Sequence, residues 1–204
     1  MTTCGAAIKN FEAKTGEVAA EAKIVKLYCQ VPPIAKMDGS LNNLAACEHL
    51  QLSTNAIDKF GVALSLPNLK ILSVGRNVIK KFDKLDDLGD NLEELWCSYN
   101  QIQSLDGLSN LTNLQVLYMS NNQLKNFDEL SKLSANPGLR DILLVGNPMY
   151  EGLEPTEAKI EVLRRLPNIA KIDGATCMPG VSFRTPSPSP WVLVIARAGL
   201  ARWC

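Results

Sequence analysis

The stretch LEELWCSYNQIQSL, residues 92–105, decides the fold. Counted from Leu92, its apolar side chains fall at positions 1, 4, 6, 11 and 14, with asparagine at position 9. The same template fits CEHLQLSTNAIDKF from Cys47, LKILSVGRNVIKKF from Leu69 and LQVLYMSNNQLKNF from Leu114. It also fits LRDILLVGNPMY from Leu139, where Pro148 follows the asparagine. A degenerate copy, IVKLYCQVPPIAKM, starts at Ile24 with Pro32 in the asparagine slot. The starts lie 23, 22, 23, 22 and 25 residues apart, so one structural unit recurs six times.

Positions 4 to 6 form an L-x-L element, a short strand whose alternate side chains point inward. Positions 1, 11 and 14 close each coil over the same core. The asparagines, Asn55, Asn77, Asn100, Asn122 and Asn147, fall at the bend after each strand. There an amide both donates to and accepts from buried backbone, so these five form a structural ladder. The reading is an α/β leucine-rich-repeat solenoid. Cys29 and Cys97 occupy position 6 and Cys47 position 1, all inward leucine slots where a thiol serves as a small hydrophobe. Cys4, Cys177 and Cys204 lie outside the template and take no role from it.

A stacked array needs covered ends. Ile8, Phe11, Val18 and Ala22 recur at helical spacing, predicting an N-terminal capping helix over 6–22 within a 1–23 segment. The repeats then occupy 24–152. In the 153–178 cap, IEVLRRLPNIAKIDG (160–174) carries Ile160, Leu163, Leu166, Ile169 and Ile172, a short helix closed by Pro167 and a strand-like turn at Asp173-Gly174. From 179 to 204 the chain turns Pro/Ser-rich and then apolar, with Pro179, Pro186, Pro188 and Pro190 and no acidic residue. We read it as an add-on, disordered up to Pro190 as Pro/Ser-rich segments tend to be, with its WVLVIA run (191–196) at least partly docked on an apolar face of the array.

Composition limits the chemistry. The 204 residues hold 21 Lys+Arg against 21 Asp+Glu, so a general nucleic-acid binder is not expected. A single histidine, His49, argues against histidine-based catalysis or zinc, and no phosphate-cradling glycine loop or G-x-S-x-G appears. Neither an enzyme nor a bound cofactor or metal is expected. The segment after Met1 has no apolar signal core, and the longest apolar run is six residues, Trp191 to Ala196. A cytoplasmic protein with reduced thiols and no membrane span is the expectation.

VPPIAKMDGSLNNLAACEHLQLSTNAIDKF, LEELWCSYNQIQSLDGL, LQVLYMSNNQL, LLVGNPMY and the 160–174 cap together closely resemble the leucine-rich light chains of axonemal outer-arm dynein. The resemblance spans residues 6 to 174. It implies a non-enzymatic, monomeric subunit of a larger complex in the axoneme of a cilium or flagellum. Its partner would be the dynein heavy chain, in the motor region near the microtubule-binding end, where it would modulate microtubule engagement. The segment after Asp173-Gly174 departs from the family pattern. The alternative is a phosphatase-regulator-like scaffold binding another cytoplasmic protein through its concave sheet.

The outward strand positions give a candidate docking face. Position 5 reads Tyr28, Gln51, Ser73, Trp96, Tyr118, Leu143, and position 3 reads Lys26, His49, Ile71, Glu94, Val116, Asp141. Ile71, Trp96, Val116, Tyr118 and Leu143, with Tyr99 at the edge, make one apolar cluster on a sheet roughly 24 Å wide. Either a partner or the chain's own tail would cover it. His49 reads as a contact on that face, and the charged run 80–87 as a solvated one. Arg164 and Arg165 in the cap either meet an acidic surface such as tubulin or serve solubility.

Overall fold

The computed structural model describes residues 1–177. The expectations for residues 178–204, including the docked WVLVIA run, lie outside the described residues.

Eight short strands form one sheet in chain order: β1 (Ile24–Lys26), β2 (His49–Gln51), β3 (Ile71–Ser73), β4 (Glu94–Trp96), β5 (Val116–Tyr118), β6 (Asp141–Leu143), β7 (Lys171–Ile172) and β8 (Ala175–Thr176). The first seven pair in parallel and β8 returns antiparallel. Each coil supplies one strand and goes back over the core to start the next. The inward residues of successive coils therefore superpose: Val25, Leu50, Leu72, Leu95, Leu117 and Ile142 are in register and fully buried. A buried side chain of this kind contributes about 1.5–3 kcal/mol.

The asparagine ladder repeats the same bonds in every coil. In Asn100, Oδ1 accepts the Ile79 N–H at 3.0 Å, while Nδ2 donates to the carbonyls of Val74 at 3.0 Å and Cys97 at 2.9 Å. Asn55, Asn77, Asn122 and Asn147 each accept from the previous coil's position 11 and donate to position 6 of both coils. The residue before each asparagine is left-handed: Thr54, Arg76, Tyr99 and Asn121 have φ of 53–58°, and Gly146 has 81°. That conformation costs roughly 1–2 kcal/mol for a side-chain-bearing residue. It aims the N–H at the next coil, as in Arg76 to Ser98 O and Tyr99 to Ser120 O, both 2.9 Å.

These markers correct the first repeat. Val25, not Leu27, pairs with Leu50; Asn55 bonds Leu27 O and Ile34 N; and Cys29 is left-handed at φ 50°. The first coil therefore starts at the buried Ala22, with two extra residues inserted around Pro32 and Pro33. A slip of two residues preserves strand alternation, which is why both readings satisfy the pattern. Cys29 is consequently exposed, not inward, whereas Cys47 and Cys97 are fully buried as expected. Burial pushes the Cys47 thiol up to about 11 and raises that of Cys97 as well.

Both ends differ from expectation in extent. α1 covers Cys4–Thr15, not 6–22. Thr3 caps its start, and Gly16 ends it at φ 74°, donating to Glu12 O at 2.8 Å. Ala22 then belongs to the first coil, and Val18 is exposed. At the other end α2 begins earlier than read, covering Pro155–Arg165, with the Glu157 carboxylate accepting the Glu154 N–H at 3.1 Å. After α2, Ile172 pairs with Ile142, so the strand-like turn is a truncated seventh coil.

Candidate protein-docking face

The corrected register sets the outward rows. Position 3 runs Ile24, His49, Ile71, Glu94, Val116, Asp141 and Lys171; position 5 runs Lys26, Gln51, Ser73, Trp96, Tyr118 and Leu143. Lys26 moves from row 3 to row 5, and Tyr28 leaves the strand for the turn that follows it. Because neighbouring strands are parallel and in register, like positions stand side by side.

Trp96 and Tyr118 stack, with centroids 6.2 Å apart at 23°, and His49 meets the indole edge-on at 5.4 Å. The polar atoms of the Trp96 and Tyr118 rings each have a partner in the adjacent row. The Trp96 indole N–H donates to Glu94 Oε2 at 2.9 Å. The Tyr118 hydroxyl donates to Asp141 Oδ2 at 3.1 Å, and Lys171 Nζ donates to the same oxygen at 2.9 Å. His49 Nε2 and Ser73 Oγ are 3.1 Å apart. Burial holds His49 below its usual range, with Lys26 adding to that against the pull of Glu94. Burial and the bond to Asp141 raise the Tyr118 phenol.

The predicted apolar cluster is therefore assembled only in part. Trp96, Tyr118 and Leu143 are contiguous along row 5. Ile71 and Val116 flank Glu94 in row 3 and do not adjoin each other. All five are half-buried, so the surface is a braced aromatic strip between carboxylates and not an open hydrophobic patch. Tyr99 lies off the sheet, on the left-handed turn, with the Arg76 guanidinium 4.7 Å above its ring. Glu94 and Asp141 stand in the sequence rows, but what brings them to the strip is the bonding of their carboxylates to Trp96 and Tyr118. Lys171 was missed because its segment reads as cap, not coil.

The adjacent arginines of the cap are engaged within the fold. Arg165 pairs with Asp128 and Glu161, both at 2.7 Å, and lies 5.7 Å over the Phe127 ring. It fastens α2 to the 3₁₀ segment Phe127–Ala135 of the fifth coil. This corrects the reading of Arg165 as an outward charge. Arg164 pairs with Glu161 and stays half-exposed.

Residues 90–132 match the family model described as Leucine Rich repeats (2 copies). The chain is 52% identical over 177 residues to dynein axonemal light chain 1 of Chlamydomonas reinhardtii, covering 85% of this chain and 89% of that protein. It is 47% identical over 180 residues to the Homo sapiens dynein axonemal light chain 1, covering 88% and 95%. Among solved structures it is similar to an internalin from Listeria monocytogenes, with TM-score 0.56 and 25% identity over 71% of this chain and 39% of that one. A leucine-rich-repeat protein of Leptospira interrogans gives TM-score 0.56 and 26% identity over 68% and 34%. The match to the light chains extends from the repeats through the cap; this chain belongs to the dynein axonemal light chain 1 family.

Proposed function

We propose that this protein is a non-catalytic light chain of axonemal outer-arm dynein. It docks on the heavy-chain motor region near its microtubule-binding end and modulates microtubule engagement in the cilium or flagellum. The observation that supports the docking mode is the stacked Trp96–Tyr118 pair continued by Leu143, held by Glu94 and Asp141 before any partner arrives. Rings already fixed lose little freedom on binding, which is what central aromatic anchors require. Six strands about 4.8 Å apart offer the width of a standard interface.

The test is capture of the full-length chain's partners from ciliated or flagellated cells, followed by mass spectrometry. An outer-arm heavy chain recovered with the wild type and lost with Trp96→Ala supports the reading. Recovery of a phosphatase catalytic subunit in its place favours the scaffold alternative.

A further inference from the structure

Among the described residues, one buried side-chain oxygen has no hydrogen-bond partner, and it is Asn136 Oδ1. Asn136 is 3% exposed and ends the 3₁₀ segment Phe127–Ala135 of the fifth coil. Its Nδ2 is already committed, donating to the carbonyls of Leu108 at 2.9 Å and Leu111 at 2.8 Å. Those two bonds also settle which end of the amide is which, because an oxygen turned that way would face only acceptors. A buried acceptor without a donor is rare in a folded chain and points to something that supplies one.

Asn136 lines a pit of about 220 Å³ between that 3₁₀ segment and the end of α2. Leu133, Pro137, Leu139, Leu166 and Ile169 give it apolar walls. Arg165 also lines it and is held by Asp128 and Glu161, which fixes the α2 side. The pit thus offers apolar contact together with an amide that lacks a donor and has none to spare. The matching occupant is apolar, and donates without accepting. Tryptophan is the side chain that combines a large apolar ring with a donor and no acceptor.

The chain carries such a residue within reach. The Cys177 N–H donates to Ala170 O at 2.7 Å, so the described residues end beside the neighbour of Ile169. Thirteen residues, 178–190, lead from there to Trp191, the first of the apolar run WVLVIA. A chain of that length spans up to about 43 Å, more than the short step back to the pit. Tethering also holds a segment at roughly millimolar effective concentration, which favours it over an untethered competitor. We propose that the pit is the seat of the chain's own Trp191, with the indole N–H on Asn136 Oδ1 and the ring against Leu139, Leu166 and Ile169. The sheet face is then left to a partner, its two ring polar atoms being paired within the sheet already. This seat does not depend on which partner that is.

Fluorescence of the full-length protein tests this, with Trp96→Phe and Trp203→Phe leaving Trp191 as the only indole. Its emission should lie at shorter wavelength than that of a peptide spanning residues 185–196, and acrylamide should quench it several-fold less. Both differences should be independent of protein concentration. Adding Ser134→Glu and Asn168→Glu, at two exposed positions on the pit, should move emission and quenching to the peptide's values while the array keeps its cooperative melt. Peptide-like emission with the pit unaltered, which leaves the pit to water or another chain, would overturn the proposal. So would emission that ignores the two added charges, or shielding that appears only as concentration rises, the mark of a second copy's tail. Loss of heavy-chain capture alone would leave this seat standing, since it does not include Trp96.

Discussion

Asp173 and Tyr150 close the C-terminal end of the sheet together. The Tyr150 hydroxyl donates to Asp173 Oδ2 at 2.8 Å, while Oδ1 accepts the N–H groups of Leu144 at 2.6 Å and Val145 at 2.9 Å. One carboxylate thus joins the truncated coil to the last full strand, from a left-handed backbone position at φ 50°. Replacement by alanine removes the acceptor from three donors and places a poorly suited residue at positive φ. Asp173→Ala should cost about 2–4 kcal/mol in chemical denaturation. Asp173→Asn, which keeps an acceptor oxygen and tolerates that backbone, should cost less than half as much. Equal losses in the two variants would contradict the role given to the acceptor.

Asn122 is 1% exposed, and its amide serves two coils at once. Asn122→Ala leaves the Ile102 N–H and the Cys97 and Met119 carbonyls short of partners, and should lower stability by about 1–3 kcal/mol. The check is a thermal melt beside Asn113→Ala, whose amide makes a single exposed bond to Asp90 O and should melt near the wild-type temperature. Indistinguishable melts for the two variants would contradict the ladder.

His49 reports on the aromatic strip through its titration. Burial against Trp96 holds its pKa below the usual range. The unfolded chain therefore takes up its proton first, and stability from this residue is present above about pH 6.5 and declines as pH falls towards the folded-state value. Trp96→Ala opens the ring to water and frees Glu94 from the indole N–H, and both changes favour the imidazolium. Proton NMR of the single histidine should show its pKa rising in the variant. An unchanged or lower value would contradict the packing described here.

The array was legible because its signals are periodic and redundant: five asparagines, spaced by whole coils, specify the stacking wherever they occur. Where the marker is missing, legibility fails. The first coil carries no ladder asparagine, and a two-residue slip leaves inward and outward faces unchanged, so Cys29 was placed inside when it lies outside. The docking face was legible as two rows but not as a surface. That Glu94 and Asp141 brace Trp96 and Tyr118 depends on side-chain directions across strands, which spacing alone does not carry. Arg165 reads from sequence as a surface charge, because its partner Asp128 lies in a different coil.

The central claim is that the stacked pair anchors the heavy chain. It is tested most directly by calorimetric titration of the full-length protein against a recombinant outer-arm heavy-chain motor region. Trp96→Ala and Tyr118→Ala should each weaken binding by about 2 kcal/mol or more, some thirtyfold, as central aromatic anchors do. The fold should lose only about 0.5–1.5 kcal/mol from the broken ring pair. Wild-type affinity in both variants, with intact melts, would contradict the assignment of this face.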